Sequence, residues 1–269
     1  MMIKNNAPLV SIIMNCHNGQ KYLKKSLNSV LSQSYNNFEL IFFNNCSTDK
    51  SEFLFKSYRD KRFKYFESKK TLGLYDARNK AIKKAKGNFI CFLDTDDWWN
   101  KNKLSKQLNL INSNKKIKII YSNIYLYYNN SKKKKLFSKK KLPTGKITQK
   151  LLNDYKLSIA SIMLSRSFFL KKKFNKQYNI IGDMDYFIKL SLKENFFCIQ
   201  EPLAYYRIHK NNFSFKNLKV YFKEIQHWLK INSNFFSKNN LSVKKIENLK
   251  FKLKVKLVLR TLLNNSLGV

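Results

Sequence analysis

Acidic residues are scarce in this chain, 16 of 269, yet Asp94, Asp96 and Asp97 fall within four consecutive positions around Thr95. Carboxylates so close repel one another, and each raises its neighbours' pKa unless a cation compensates. Held on one short loop, they offer hard oxygen ligands to Mg²⁺ or Mn²⁺, with diphosphate oxygens and water completing the shell. A solvated, helix-capping turn ahead of Lys101–Ser113 is the plainer use of the same residues. Asp183 and Asp185 form a second acidic pair, directly after Gly182. Read from the sequence alone, Asp183 sits where it would cap the following helix. Arg78 stands two residues after Asp76, and the plain reading is an ion pair with Asp76 on a helix surface. His17, His209 and His227 are lone histidines: the first two suit structural hydrogen bonds, and the third belongs to an amphipathic helix.

The elements that must position these groups alternate in type. Apolar Leu9–Met14 predicts a strand, and Tyr22, Leu23, Leu27, Val30 and Leu31 follow at helical spacing. Next come a strand over Phe38–Phe43, a short helix after Ser47-Thr48-Asp49, and a strand over Phe63–Phe66. A helix over Tyr75–Ala85 stops at Gly87, a C-terminal signal, and strand Phe89–Leu93 delivers the chain into the acidic cluster. Continuous apolar strands separated by helices predict an α/β fold, a mostly parallel sheet covered on both faces. Ligands of such sheets bind beyond the strands' carboxyl ends. Asn15-Cys16-His17-Asn18, Asn44–Asp49 and Asp94–Asp97 all fall there. Further on, Ile117–Tyr128, Ile159–Leu164 and Leu203–Ile208 read as strands, Met184–Glu194 as a helix, and Lys132–Lys141 as a basic exposed loop. From Phe215 two basic amphipathic helices follow, one carrying Leu218, Phe222, Ile225 and Leu229.

Composition narrows the class of function. A formal net charge of +38 suits nucleic acid or an anionic membrane, but there are only six arginines, the residue that reads phosphate and guanine bidentately. Lysine, asparagine, isoleucine, phenylalanine and tyrosine all have AT-rich codons, so a genome-wide bias is a second source for much of this charge, and composition leaves its meaning open. No nucleic-acid partner is expected. The four widely spaced cysteines read as reduced apolar residues. The N-terminus reads as lacking a signal peptide, and no apolar run approaches the ~18 residues that span a bilayer.

Taken in order, six segments resemble the family 2 glycosyltransferases of the GT-A fold, over about residues 8–215. Leu9-Val-Ser-Ile-Ile-Met-Asn-Cys-His-Asn is similar to the opening strand and nucleotide loop, and Ser47-Thr48-Asp49 to the end of an Asp-Asp-Gly-Ser-Thr-Asp segment. Leu72-Gly-Leu-Tyr-Asp-Ala-Arg-Asn79 resembles a donor-pocket segment, and Phe92-Leu-Asp-Thr-Asp-Asp97 the Asp-X-Asp motif. Gly182-Asp-Met-Asp-Tyr186 corresponds to the acceptor-side acidic motif and Tyr206-Arg-Ile-His209 to the closing strand.

The resemblance implies a catalytic domain over 1–214, with a nucleotide-sugar half (8–115) and an acceptor half (116–214), followed by a basic helical extension over 215–269. It implies Asp183 as general base, with Asn15, His17, Asn18, Asn44, Ser47, Asp76, Arg78, Asp94 and Thr95 around the donor. Asp96, Asp94 and, less directly, His209 would hold Mn²⁺ or Mg²⁺. The reaction implied is inverting transfer from a UDP-linked or other nucleotide sugar to a carbohydrate or lipid-linked acceptor in cell-surface polysaccharide, lipopolysaccharide or glycolipid synthesis. The setting implied is the cytoplasm, at the inner face of the membrane; the C-terminal basic helices themselves fit peripheral contact with anionic lipid, and exposed helices on a soluble domain fit them almost as well. The chain departs from the family at Asn44-Asn45-Cys46, where Asp-Asp-Gly is common; Cys46 then occupies a turn position that glycine fills easily. The alternatives are a metal-dependent nucleotidyltransferase, which shares the carboxylate–phosphate logic, and a non-catalytic basic binder, which leaves the acidic clustering unexplained.

Overall fold

Side chains along β1 (Val10–Cys16) alternate between two apolar layers, and the whole sheet follows from that. In the computed structural model, which describes residues 7–266 and side chains to 262, Val10, Ile12, Met14 and Cys16 point into one core while Ile13 points into the other. β2 (Phe38–Asn44) repeats the pattern, with Phe38, Leu40 and Phe42 on one face and Ile41 and Phe43 on the other. β3 (Phe63–Glu67) and β4 (Phe89–Phe92) complete a parallel block in the order β3-β2-β1-β4.

The rest of the nine-stranded sheet continues as β8 (Met163–Ser165), β6 (Ile119–Tyr128), β9 (Phe197–Ile208) and β5 (Trp98–Trp99), with β7 (Lys134–Leu136) beside β6. The long β6–β9 pair is parallel, while β5, β7 and β8 enter antiparallel. Helices α1 (Gln20–Leu31), α2 (Ser51–Lys56) and α4 (Lys103–Ser113) cover one face through Leu23, Leu27, Phe55, Leu104 and Leu108. The opposite face takes α3 (Leu74–Lys84), α5 (Thr148–Asn153), α6 (Ser167–Lys171) and α7 (Gly182–Ser191). After the short α8 (Phe213–Lys216), α9 (Leu218–Lys238) joins that second core with Ile225, Trp228 and Phe236 fully buried. α10 (Lys244–Ser266) lies against α9 and α5.

Four details differ from the pattern-based expectation. Ile159–Leu164 divides into a 3₁₀ turn, Ile159–Ser161, and strand β8, because the Ala160 and Ser161 carbonyls accept the Trp99 indole N–H and the Gln107 amide instead of ladder bonds. Within the basic segment 132–141, β7 pairs with β6, and Lys134 lies over the Tyr125 ring. α7 begins at Gly182, so Asp183 lies inside the first turn and is not the N-cap residue. Gly87 is no left-handed cap either: α3 ends with an extended Ala85, and the only positive-φ glycine among the described residues is Gly145. A side chain at position 87 would meet Ser11 N at 2.6 Å and Leu9 O at 2.7 Å, so glycine serves the close approach to β1.

Candidate active site

The acidic loop leaves β4 and turns at once, the Asp97 N–H donating to the Asp94 carbonyl at 3.1 Å. Ser26 on α1 donates to the carbonyls of Thr95 and Asp97, and a Cβ on Gly19 would sit 2.7 Å from Thr95 Oγ1, so the β1–α1 loop presses against the acidic one. On the other side Arg207 holds it twice: its backbone N–H donates to Asp97 Oδ1 (2.9 Å) and its Nε–H to the Asp96 carbonyl (2.8 Å). The Arg207 guanidinium is fixed in turn over the Tyr22 and Trp98 rings, 4.4 and 4.7 Å from their centroids. Asp97 is buried, and burial followed by the charges of Asp96 and Asp94 pushes its carboxyl well above the usual range. Its place is structural, and it leaves Asp94 and Asp96 as the accessible pair.

Those two carboxylates face different partners. Asp94 Oδ1 accepts from Arg78 at 2.6 Å, and the guanidinium is buried while the Asp94 side chain stays one-third exposed. The Asp76–Arg78 ion pair is therefore not formed; Asp76 lies half-buried in the first turn of α3. Asp96 Oδ2 lies 3.0 Å from His209 Nε2. The Asn211 N–H donates to His209 Nδ1 (3.2 Å), which leaves Nε2 as the ring's donor toward Asp96. His209 itself stacks on Tyr22 at 5.0 Å.

Asp183 comes to the same place from the other half of the chain. The Tyr75 hydroxyl donates to its Oδ1 at 2.7 Å and the Tyr155 hydroxyl more weakly to Oδ2 at 3.4 Å. The residue is half-buried: neighbours crowd the carboxyl while part of its surface stays open. Desolvation raises its pKa above the ordinary carboxylate value, opposed by the Tyr75 hydrogen bond and the Arg78 charge. Tyr75 gets this close only because position 182 is glycine, where a Cβ would lie 2.4 Å from the ring. Glu224 of α9 fixes the preceding backbone by accepting the N–H groups of Asn179, Ile180 and Ile181 at 2.6, 2.9 and 3.1 Å. Asp185 points away from Asp183 and accepts the Trp228 indole N–H (2.9 Å). Tyr206 brings the halves together: burial, then the charges of Asp97, Asp96, Asp94 and Asp183, raise its pKa.

The loops after β1 and β2 build the adjoining patch. Asn18, at φ +54°, accepts the Thr48 N–H at 2.8 Å through Oδ1, and its own N–H donates to Ser47 Oγ at 3.0 Å. His17 Nδ1 lies 2.8 Å from the Asn45 carbonyl. Asn44 is buried, its side-chain Oδ1 accepting the Ser47 N–H (3.0 Å) and its Nδ2 donating to the Tyr65 hydroxyl oxygen (2.9 Å). Asn45 clamps Leu72, donating to its carbonyl and accepting its N–H, both at 2.9 Å. Cys46 takes φ +55°, as expected of a residue in glycine's place. Asn15, at the end of β1, carries a buried amide whose two polar atoms have no partner in the protein, the pattern of a group reserved for a ligand or water.

The sequence assigned no role to Tyr75 and Arg207, which it placed only inside motif segments, or to Tyr155 and Glu224, and it marked Asn45 only as a departure from the family pattern. Two of these left a signal. Tyr75 precedes Arg78 by three residues, one helical face, and Glu224 is the only acidic residue in the otherwise basic α9. For a divalent cation the protein offers Asp96 and the adjacent His209. Among the described residues there is no cluster of three or more His, Cys, Asp or Glu side chains suited to a metal ion. Two donors beside an open carboxylate fit Mg²⁺ or Mn²⁺ shared with a ligand's phosphates, the usual manner of binding Mg²⁺. Ligation by His209 Nε2 would require moving its proton to Nδ1 and giving up the Asn211 contact.

Comparison with known proteins agrees with this geometry. Residues 11–184 match the family described as Glycosyl transferase family 2. WfgD of Escherichia coli, a UDP-Glc:alpha-D-GlcNAc-diphosphoundecaprenol beta-1,3-glucosyltransferase, is 34% identical over 220 residues, covering 78% of this chain and 83% of that protein. TuaG of Bacillus subtilis, a putative teichuronic acid biosynthesis glycosyltransferase, is 40% identical over 106 residues, 39% of this chain and 42% of its own length. Among solved structures, S. aureus TarS 1-349 in complex with UDP-GlcNAc superposes with a TM-score of 0.65 at 18% identity, covering 91% of this chain and 71% of that one. Mannosyltransferase PcManGT of Pyrobaculum calidifontis, in complex with GDP-Man and Mn2+, gives 0.61 at 13% identity, covering 84% and 64%. With the motif residues gathered at the carboxyl ends of the strands and the family match spanning most of the sheet, the chain belongs to glycosyl transferase family 2 and has the GT-A fold.

Proposed function

We propose that the protein transfers a sugar from a UDP-linked donor to a hydroxyl of a lipid-diphosphate-linked glycan, with inversion, in the assembly of a cell-surface polysaccharide. One observation carries the reaction type: a desolvated carboxylate, Asp183, shares the buried Tyr75–Arg78 network with the Asp94–Asp96 loop. Asp183 takes the proton of the acceptor hydroxyl as its oxygen bonds to the anomeric carbon, and the bond from that carbon to the phosphate oxygen breaks with its electron pair leaving on the nucleoside diphosphate. A single displacement with a single base inverts the centre. Arg78, fixed and buried, offsets charge on the leaving group through its place beside Asp94. Asp96 with His209 would hold the divalent cation, which when bound neutralises diphosphate charge. Asn15, Asn18, Asn44 and Ser47 shape the nucleotide side. The donor and acceptor classes are supported by WfgD, whose name specifies UDP-Glc and a diphosphoundecaprenol-linked sugar.

The test is release of nucleoside diphosphate from a panel of nucleotide sugars with Mn²⁺ or Mg²⁺ and a polyprenyl-diphosphate-linked acceptor. Turnover confined to UDP-sugars and abolished by chelation is expected. No release from any donor with either metal would overturn the reading.

A further inference from the structure

Helix α10 has two apolar faces, and only one of them is used by the fold. Ile246, Leu249, Leu253 and Leu257, spaced i, i+3, i+7 and i+11, form the inner stripe; Ile246 and Leu253 are buried and Leu249 is packed beside them in the second core. Phe251, Val255, Val258, Leu259 and Leu262, at i, i+4, i+7, i+8 and i+11, form a second stripe on the opposite side. Its exposure runs from 41% at Val255 to 66% at Phe251. Scattered exposed apolar residues need no explanation, but five on one continuous stripe do. Basic residues border it: Lys250 and Lys254 on one flank, Lys252 and Lys256 on the other. Over residues 244–262 the helix carries seven basic residues against one acidic residue, Glu247.

We propose that this outer face of α10 docks on an anionic lipid bilayer, lying in the plane of the interface with Phe251, Val255, Val258, Leu259 and Leu262 inserted among the acyl chains. The bordering lysines reach the phosphate headgroups, their methylene stems following the apolar surface. The charge distribution selects this occupant. A second copy of a +38 chain would bring two such lysine borders together, whereas an anionic surface neutralises them. No helix among the described residues is long and apolar enough to cross a membrane, so attachment through α10 is peripheral. α10 packs on α9, which carries Glu224 and so holds the backbone just before Asp183. Docking therefore ties the membrane to the acceptor half of the site. The inference goes beyond the proposed reaction and stands or falls separately from it.

The experiment is flotation of the full chain with vesicles of phosphatidylcholine alone or mixed with phosphatidylglycerol, at low salt and at about 0.5 M NaCl, where screening leaves little long-range attraction. A chain this basic adheres to anionic vesicles at low salt through charge alone, so the high-salt arm decides. Wild type is expected to remain on phosphatidylglycerol vesicles there, and Phe251→Gln/Val258→Gln/Leu262→Gln, which keeps the net charge, to lose at least about tenfold in affinity. These positions are exposed, so the variant's Tm and turnover of a soluble acceptor should match wild type. Independently, Phe251→Trp should show a blue-shifted emission quenched by brominated lipid, against a constant background from buried Trp98, Trp99 and Trp228. Equal binding by wild type and the triple variant, or an unquenched fluorophore at position 251, would refute lipid insertion. A concentration-dependent dimer that the triple variant abolishes would assign the face to a second copy and refute it equally.

Discussion

The Tyr75 hydroxyl donates to Asp183 Oδ1 at 2.7 Å across 108 residues of sequence. Tyr75 lies on the same helix as Arg78, whose guanidinium sits 5.1 Å from its ring and pairs with Asp94. One helical face thus joins Asp94 to Asp183, so a change at Tyr75 should register at the proposed base.

Tyr75→Phe is expected to move the acid limb of kcat to higher pH. As the proposed base, Asp183 acts only when ionised, and burial already holds its pKa above the usual carboxylate value. The Tyr75 hydrogen bond opposes that shift, and removing it raises the pKa further, so activity fails at a higher pH as the medium is acidified. A pH–rate profile superimposable on wild type would show that the contact does not tune the base.

Asp183→Asn and Asp96→Ala should separate chemistry from donor binding. The first is expected to lower kcat by roughly 10²–10⁴ with donor affinity nearly unchanged, the range of a lost general base. The second should weaken metal-dependent donor binding, read by calorimetry with and without Mn²⁺. Full transfer activity in the Asp183 variant would remove it as base, and unchanged binding in the Asp96 variant would relocate the metal.

Asn45→Asp restores the residue common in the family and is nonetheless expected to destabilise this chain by about 1–3 kcal/mol. Asn45 both donates to and accepts from the Leu72 backbone, and a carboxylate cannot donate. Urea unfolding gives the difference; a neutral or stabilising effect would mean that the clamp contributes little.

Glu224→Gln should cost about 2–3 kcal/mol, since one carboxylate accepts three backbone N–H groups at the start of α7 and an amide leaves at least one unmet. Because that backbone leads into Asp183, kcat should fall while the KM for donor changes little. A change in donor KM without loss of kcat would contradict a positioning role on the acceptor side.

Much was legible in the chain itself, because it depends on local order. Alternating apolar strands and helices determined a covered parallel sheet, and motif spacing determined that three loops meet at its carboxyl edge. Glycine's missing side chain was visible too, but at Gly87 and Gly182 the reason is close contact with β1 and with the Tyr75 ring, which no local pattern carries. Tertiary structure alone decided which charge meets which: Arg78 takes Asp94 and leaves Asp76, and Asp97 is buried by Arg207 while Asp94 and Asp96 stay open. It also decided that a carboxylate on a late basic helix, Glu224, would secure the backbone just ahead of Asp183. Spacing along a chain specifies which residues share a loop or a helical face, but electrostatic partners and desolvation are set by what packs against them, and here those neighbours lie up to 113 residues apart, as His209 does from Asp96.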